Sequence, residues 1–354
     1  MPSAPPQLPE VPHFVSQYDT ATEFLKDCIH ILRTHEESCV VMFAHALGRI
    51  EDDSVGHLSN RHRGETSGAT VPRRKEAFWL TVWSIAGNTP PILDLVLMCD
   101  RWILGDYPIF LWSPYHESQL DPSWLSPRVD QLTRYLFRCV PRERVFAVFG
   151  KAALSKEFAA HWSHLASMPT AVDPIYDAIL TRCTAETFKD GDGEEPPVGH
   201  IVRLAQPQDL IPVTLLCEKF ADDSVYYPLS RDDAKVEAMQ LIERQQIWVY
   251  EVDKTVAAIC AAAREGHNAT VISKVFTKEE LRNQGYAERL VRQVTRHLLF
   301  TRNKAAVVLY VGHRNKAQSV YNRVGYAGLC GLPRPPTVED WLELGFRGGK
   351  MGHW

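Results

Sequence analysis

The apolar positions change period several times along the chain. Between Phe14 and Ile50 they fall near three-four spacing, with Phe24, Leu25, Cys28, Ile29, Ile31 and Leu32 on one face, which predicts helix. The polar stretch Asp52–Lys75, with Gly56, Gly64 and Gly68, breaks that period and predicts an exposed loop. Three runs rich in aromatic and β-branched residues follow, Ala77–Gly87, Pro91–Cys99 and Pro108–Trp112, and predict strands. Helical spacing returns from about Ser126 in Val129, Leu132, Leu136 and Val140. A short strand over Arg144–Gly150 and a helix through Ser155–Leu165 complete this half.

At Lys189 the texture shifts. The segment Lys189–Gly199 is acidic, glycine-rich and carries a double proline, the composition of an interdomain linker. Beyond it, His200 opens a strand, residues 213–245 are mostly helical, and Ile247–Val252 with Thr255–Glu265 predict a hairpin turning at Asp253-Lys254. Asn268–Thr277 is a further strand, followed by a helix from about Gly285, a strand over Ala305–Val311 and a short helix near Lys316–Arg323. This order predicts an α+β domain around a mixed sheet. Residues 14–170 show a similar coarse order without matching residues.

Composition narrows the class. The chain has 354 residues, 45% hydrophobic and 23% charged, which suits two soluble domains. A net charge of -4 gives no electrostatic case for nucleic acid or an anionic membrane. The eight cysteines form no C-x-x-C and read as buried thiols of a reducing compartment, hence cytoplasm or nucleus. The N-terminal residues 1–12 are proline-rich, read as disordered and lack a signal-peptide pattern, and no apolar run is long enough to span a membrane. His161 and His164 have helical metal-pair spacing but no third ligand, so no metal is expected. The tryptophans Trp79, Trp83, Trp102, Trp112 and Trp124 are expected mostly to pack in the core.

Chemistry gathers in Val275–Val294. A strand feeds a loop containing Arg282 and Gly285 and then a helix with Ala287, Leu290, Val291, Val294 and Leu298 on one face. Unpaired N–H groups at a helix start, a glycine that admits a ligand to the backbone and a nearby arginine together suit a pyrophosphate. About thirty residues on, Tyr321-Asn322-Arg323-Val324-Gly325-Tyr326 closes a second helix.

These two motifs, in this order, make Thr270–Leu329 resemble the acetyl-CoA-binding core of the GNAT superfamily of N-acyltransferases, and residues 201–332 follow its element order. The chain is also similar to two-part members in which a degenerate GNAT-like half, here 13–188, precedes an intact one. The resemblance implies a GNAT-like mixed sheet in both halves and places acetyl-CoA on the second. Val275, Phe276 and Thr277 would run beside the pantetheine arm, and Arg282, Asn283, Gln284, Gly285, Tyr286 and Ala287 would hold the pyrophosphate. Tyr321 would protonate the departing thiolate. The family's asparagine seven residues before that tyrosine is here Arg314, with Asn315 one residue later, so either makes that contact. The strand lacks the glutamate that serves some members as base, which leaves His313 as the candidate. Cys260 and Cys330 have no local histidine, so no acyl-cysteine is expected.

The implied activity is acyl transfer to a primary amine, with a small molecule favoured as acceptor. A protein amine and a non-catalytic CoA-binding module are the alternatives. The terminal segment 333–354 is expected as a tail packed on the 201–332 domain. Oligomeric state is not encoded legibly.

Overall fold

The computed structural model describes residues 11–60, 77–191, 197–223 and 227–353, with only the backbone of 51–60. Elements run β1 (His13–Tyr18), α1 (Ala21–Thr34), α2 (Glu36–Asn60), β2 (Phe78–Ser84), β3 (Ile92–Cys99), β4 (Arg101–Trp102), β5 (Gly105–Asp106) and β6 (Ile109–Trp112). Then come α3 (Pro122–Cys139), β7 (Ala147–Lys151), α4 (Ala152–Ala166), β8 (Tyr176–Thr184), β9 (His200–Leu204), α5 (Leu210–Asp222) and α6 (Arg231–Glu243). The remainder is β10 (Ile247–Val252), β11 (Thr255–Ala261), β12 (Arg264–Glu265), β13 (Ala269–Ile272), β14 (Lys274–Thr277), α7 (Tyr286–Arg296), β15 (Ala306–Gly312), α8 (Gln318–Val324) and β16 (Glu339–Gly345). The fold is α+β, with mixed sheets flanked by helices, in two compact units.

The first unit comprises Met1–His35, Val41–Asp177 and Asp340–Trp354. Its strands lie in the order β1-β2-β3-β6-β7-β16, with β6 parallel to β7 and the other neighbours antiparallel. Leu80, Val82, Leu95 and Leu97 of the sheet share a core with Val129, Leu132 and Leu136 of α3 and Phe158 and Trp162 of α4. Trp79, Trp83, Trp112 and Trp124 are buried, as core packing requires.

Several expectations need correction here. Residues 14–18 are not helical: β1 pairs with β2 from His13↔Ser84 to Tyr18↔Trp79, and the Thr20 side chain then caps α1 at Glu23 N–H. Sheet pairing outweighs local spacing over so short a run. Residues 52–60 continue α2 rather than a loop, while 61–75 and residues 1–10 lie outside the described residues. Helix α3 begins four residues early because Asp121 accepts from Ser123 N–H and Pro122 suits a first helical position. The C-terminal segment is no tail on 201–332: β16 pairs antiparallel with β7 from Trp341↔Lys151 to Gly345↔Ala147, adding a strand to the first unit.

The second unit comprises Glu36–Val40 and Ala178–Glu339. The division therefore falls at 177/178, inside β8, and not in 189–200, of which 192–196 lie outside the described residues. Lys189 N–H donates to Val324 O at 2.9 Å and Arg292 donates to Lys189 O, so the start of that acidic stretch is bonded into the unit despite its linker composition. Strands β8-β15-β13-β12 form one group and β14-β11-β10-β9 another. The hairpin of β10 and β11 turns at Asp253 and Lys254, both at positive φ, as expected. One face carries α7 and α8 over Cys260, Leu290, Val291, Val294 and Leu309; the other carries α5 and α6 over Val249, Ile259 and Phe276.

Candidate functional site

The expected strand Asn268–Thr277 is broken at Ser273. β13 pairs in parallel with β15 from Ala269↔Ala306 to Ile272↔Leu309, whereas β14 pairs only with β11 and ends its sheet. β15 keeps its other neighbour, β8, as far as Gly312↔Ala178. The two parallel strands thus part after Ile272 and Leu309, each held from its outer side. Antiparallel alternation decides which groups face the opening. Lys278 N–H donates to Ala257 O at 2.9 Å, so counting back, Phe276 directs its peptide groups at β11, and Val275 and Thr277 direct theirs away. Thr277 O accordingly accepts from Arg282 Nε at 3.2 Å. Side chains alternate as well. Val275 packs with the α7–α8 core, while the Phe276 ring is buried against α5 and α6, so Phe276 does not share Val275's face.

After β14 a single turn over Glu279–Leu281 leads to the exposed loop Arg282–Gly285. Asn283 and Gly285 both have positive φ, 63° and 78°, and this reversal brings the chain round into α7 with Gly285 as its N-cap. Nothing lies within 4 Å of where a Gly285 Cβ would stand, so the backbone there is open to a ligand. The first N–H groups of α7 have no helical acceptor. Leu290, Val291 and Val294 are fully buried, which fixes the direction of the helix. Tyr286 stacks on Tyr250, ring centroids 4.9 Å apart. Glu288, in the first turn, does not counter an anion freely: although burial raises its pKa, hydrogen bonds from Arg292 and Arg323 outweigh it and hold the carboxyl below its ordinary value.

Asn315 closes the turn from β15 into α8. Its N–H donates to Gly312 O at 2.9 Å and its Oδ1 accepts from Ala317 N–H at 2.8 Å. His313, half-buried, stands just past the end of β15, and its carbonyl accepts from Gln318 Nε2 at 2.8 Å. Tyr321, on α8, is buried in the same cluster as Val275, Leu281 and Tyr286 and meets Tyr326 edge-on at 5.8 Å. The structure thus gathers Val275, Tyr286 and Tyr321 in one cluster and places the Arg282–Gly285 loop at the start of the packed helix. The Asn315 side chain is engaged in the turn that leads into α8.

Two partners were not foreseen. Lys274 Nζ bonds Glu237 Oε2 of α6 at 3.0 Å, and Arg282 bonds Asp223, which follows α5, at 3.3 Å. A lysine inside an otherwise apolar strand signals a buried partner, but sequence does not say which acid. The thiols fit an inert role: burial pushes Cys217 up to about 12 and Cys183 up to about 11. Cys330 corrects the expectation of buried thiols, being exposed. His161 bonds Glu157 Oε1 at 3.1 Å, and among the described residues no group of three or more His, Cys, Asp or Glu could hold a metal. Among the described residues no helix is long and apolar enough to cross a membrane.

In the first unit the corresponding strand–loop–helix passage, β6 to α3, is built differently. Asp121 occupies the helix start, its carboxyl held low by Ser123, and Pro122 has no N–H to offer. That end is closed to a phosphate.

Comparison with known proteins agrees with this geometry. Residues 243–327 match the acetyltransferase (GNAT) domain family. A structural-genomics target from Drosophila superposes with a TM-score of 0.56 at 12% identity, over 93% of this chain and 98% of that one. A GCN5-related N-acetyltransferase from Sphaerobacter thermophilus gives 0.48 at 14%, over 95% and 96%. Another from Kribbella flavida gives 0.46 at 15%, over 75% and 90%. No curated protein matches the chain in sequence. The matched residues 243–327 lie within the second unit, and acyl transfer from acyl-CoA is the general chemistry of the matched family.

Proposed function

We propose that the chain is an N-acyltransferase that moves an acetyl group from acetyl-CoA to a primary amine of a small molecule, by direct attack within a ternary complex. The observation that carries this is the parting of β14 from β15 beside an open helix start, with Tyr321 and Val275 in one apolar cluster. Acyl-CoA fits this arrangement: the loop backbone is unobstructed at Gly285, the arginine beside it is exposed, and Val275 directs its peptide groups away from β11.

When bound, acetyl-CoA supplies the thioester. Val275 N–H, directed away from β11, polarises the thioester carbonyl by hydrogen bonding. Arg282 and the N–H groups from Asn283 to Ala287 hold the pyrophosphate. The amine attacks as the free base; the new C–N bond forms as the C–S bond breaks. Tyr321, whose ordinary pKa is about 10, gives its proton to the thiolate. His313 takes the amine's proton, directly or through water. Asn315 contributes through the turn that seats α8 and Tyr321.

The test is thiol release from acetyl-CoA against a panel of small amines and amine-bearing peptides. Turnover with a small amine, reduced by Tyr321→Phe with the KM for acetyl-CoA held, supports the reading. Turnover only with peptides shifts the acceptor to protein. Binding of acetyl-CoA without turnover on any amine overturns catalysis.

A further inference from the structure

Helix α5 ends with Asp222, and Asp223 is its C-cap, where the helix dipole disfavours negative charge. Each acid has a cation: Lys219 lies 3.4 Å from Asp222, and Arg282 lies 3.3 Å from Asp223 Oδ2. Arg282 is docked there on three sides. Its Nε donates to Thr277 O, and its guanidinium lies 5.0 Å above the Phe276 ring. Phe276 in turn meets Phe220 of α5 edge-on at 6.5 Å. The arginine beside the α7 start therefore has its charge directed at the end of α5. The pair is exposed, 43% for Arg282 and 59% for Asp223, and such a pair is weak enough to be exchanged.

We propose that Asp223 is a positioning residue that competes with the acyl-CoA pyrophosphate for Arg282. Occupation of the loop transfers Arg282 from the carboxylate to the phosphates and leaves Asp223 without this counter-charge. Asp223 thus sets cofactor affinity without touching the cofactor. This rests on the acyl-CoA reading of the loop.

Titration calorimetry of CoA into wild type, Asp223→Asn, Arg282→Gln and the double variant tests it, with thermal melts confirming that each is folded. Asp223→Asn binds roughly two- to five-fold tighter than wild type, the range released by freeing an exposed pair. Arg282→Gln binds more weakly, and the double variant matches Arg282→Gln, because without the arginine there is nothing to compete for. A structural cap alone cannot tighten binding. Unchanged or weaker binding by Asp223→Asn overturns the proposal, as does tightening that persists without Arg282, which would mean simple charge repulsion. Failure of wild type to bind CoA would instead sink the acyl-CoA reading, and this inference with it.

Discussion

Lys274 Nζ lies 3.0 Å from Glu237 Oε2 with both side chains only 9% exposed, and the same ammonium sits 4.6 Å over the Phe220 ring. This pair ties the first residue of β14, where that strand leaves β15, to α6. Two charges taken out of water gain little as a pair, but one left alone is costly. Glu237→Ala is expected to cost the second unit roughly 3–5 kcal/mol. Lys274→Met with Glu237→Leu should recover most of that loss. Hydrogen exchange of β11 and β14 under increasing urea reads both.

Gly325 ends α8 at φ 112°, and an added Cβ would overlap the Thr187 carbonyl oxygen. Gly325 N–H and Tyr326 N–H both return to Tyr321 O, so this turn holds the helix that carries Tyr321. Gly325→Ala should destabilise the unit by at least about 1–3 kcal/mol, the cost of a strained backbone. Thermal unfolding measures the loss. An unchanged melting temperature would show that β8 and α8 adjust freely.

Asp100 is buried in the first unit against His45 at 3.0 Å and against Arg49. Burial raises its pKa, but the hydrogen bond and charge of His45 and the charge and hydrogen bonds of Arg49 outweigh it, leaving it below 3.8. A folded pKa below the unfolded one stabilises fully above the unfolded value and loses that stability as pH falls through the folded one. The stability that Asp100 contributes to the first unit should therefore be lost only as pH falls below the ordinary carboxylate range. Arg49→Met should move the onset of that loss to higher pH, as followed by tryptophan fluorescence.

Of the eight free cysteines, Cys330 alone is exposed, and burial pushes Cys28, Cys99 and Cys217 up to about 12. Thiolate is the reactive form. Native iodoacetamide treatment followed by peptide mass mapping should label Cys330 first. Early labelling of Cys217 or Cys260 would contradict the packing described.

Much of the second unit was legible in sequence because its elements are locally determined. Asp253-Lys254 turns a hairpin, Gly285 opens α7, and Leu290, Val291 and Val294 bury one face of it. The motif residues from Val275 to Tyr321 fell on the strand, loop and helices expected of them. What sequence hid was non-local. The only local sign of the break between β13 and β14 is the polar pair Ser273-Lys274, and nothing local says that the two segments join different sheets. Nor does composition show that Asp340–Gly345 pairs with a strand formed by residues far upstream, or that a unit ends inside β8 and not in the acidic stretch after Lys189. The partners of Lys274 and Arg282 come from α6 and the end of α5, and only folding brings them there.

The central claim is that the loop from Arg282 to Ala287 holds acyl-CoA by its pyrophosphate. Calorimetry of acetyl-CoA with wild type and Gly285→Glu tests it most directly, because an added Cβ meets nothing within 4 Å; the φ of 78° strains any side chain, so thermal melting first shows that the variant is folded. One-to-one binding by wild type, lost in a folded Gly285→Glu, is the predicted result. No binding by wild type, or equal binding by the variant, would contradict it.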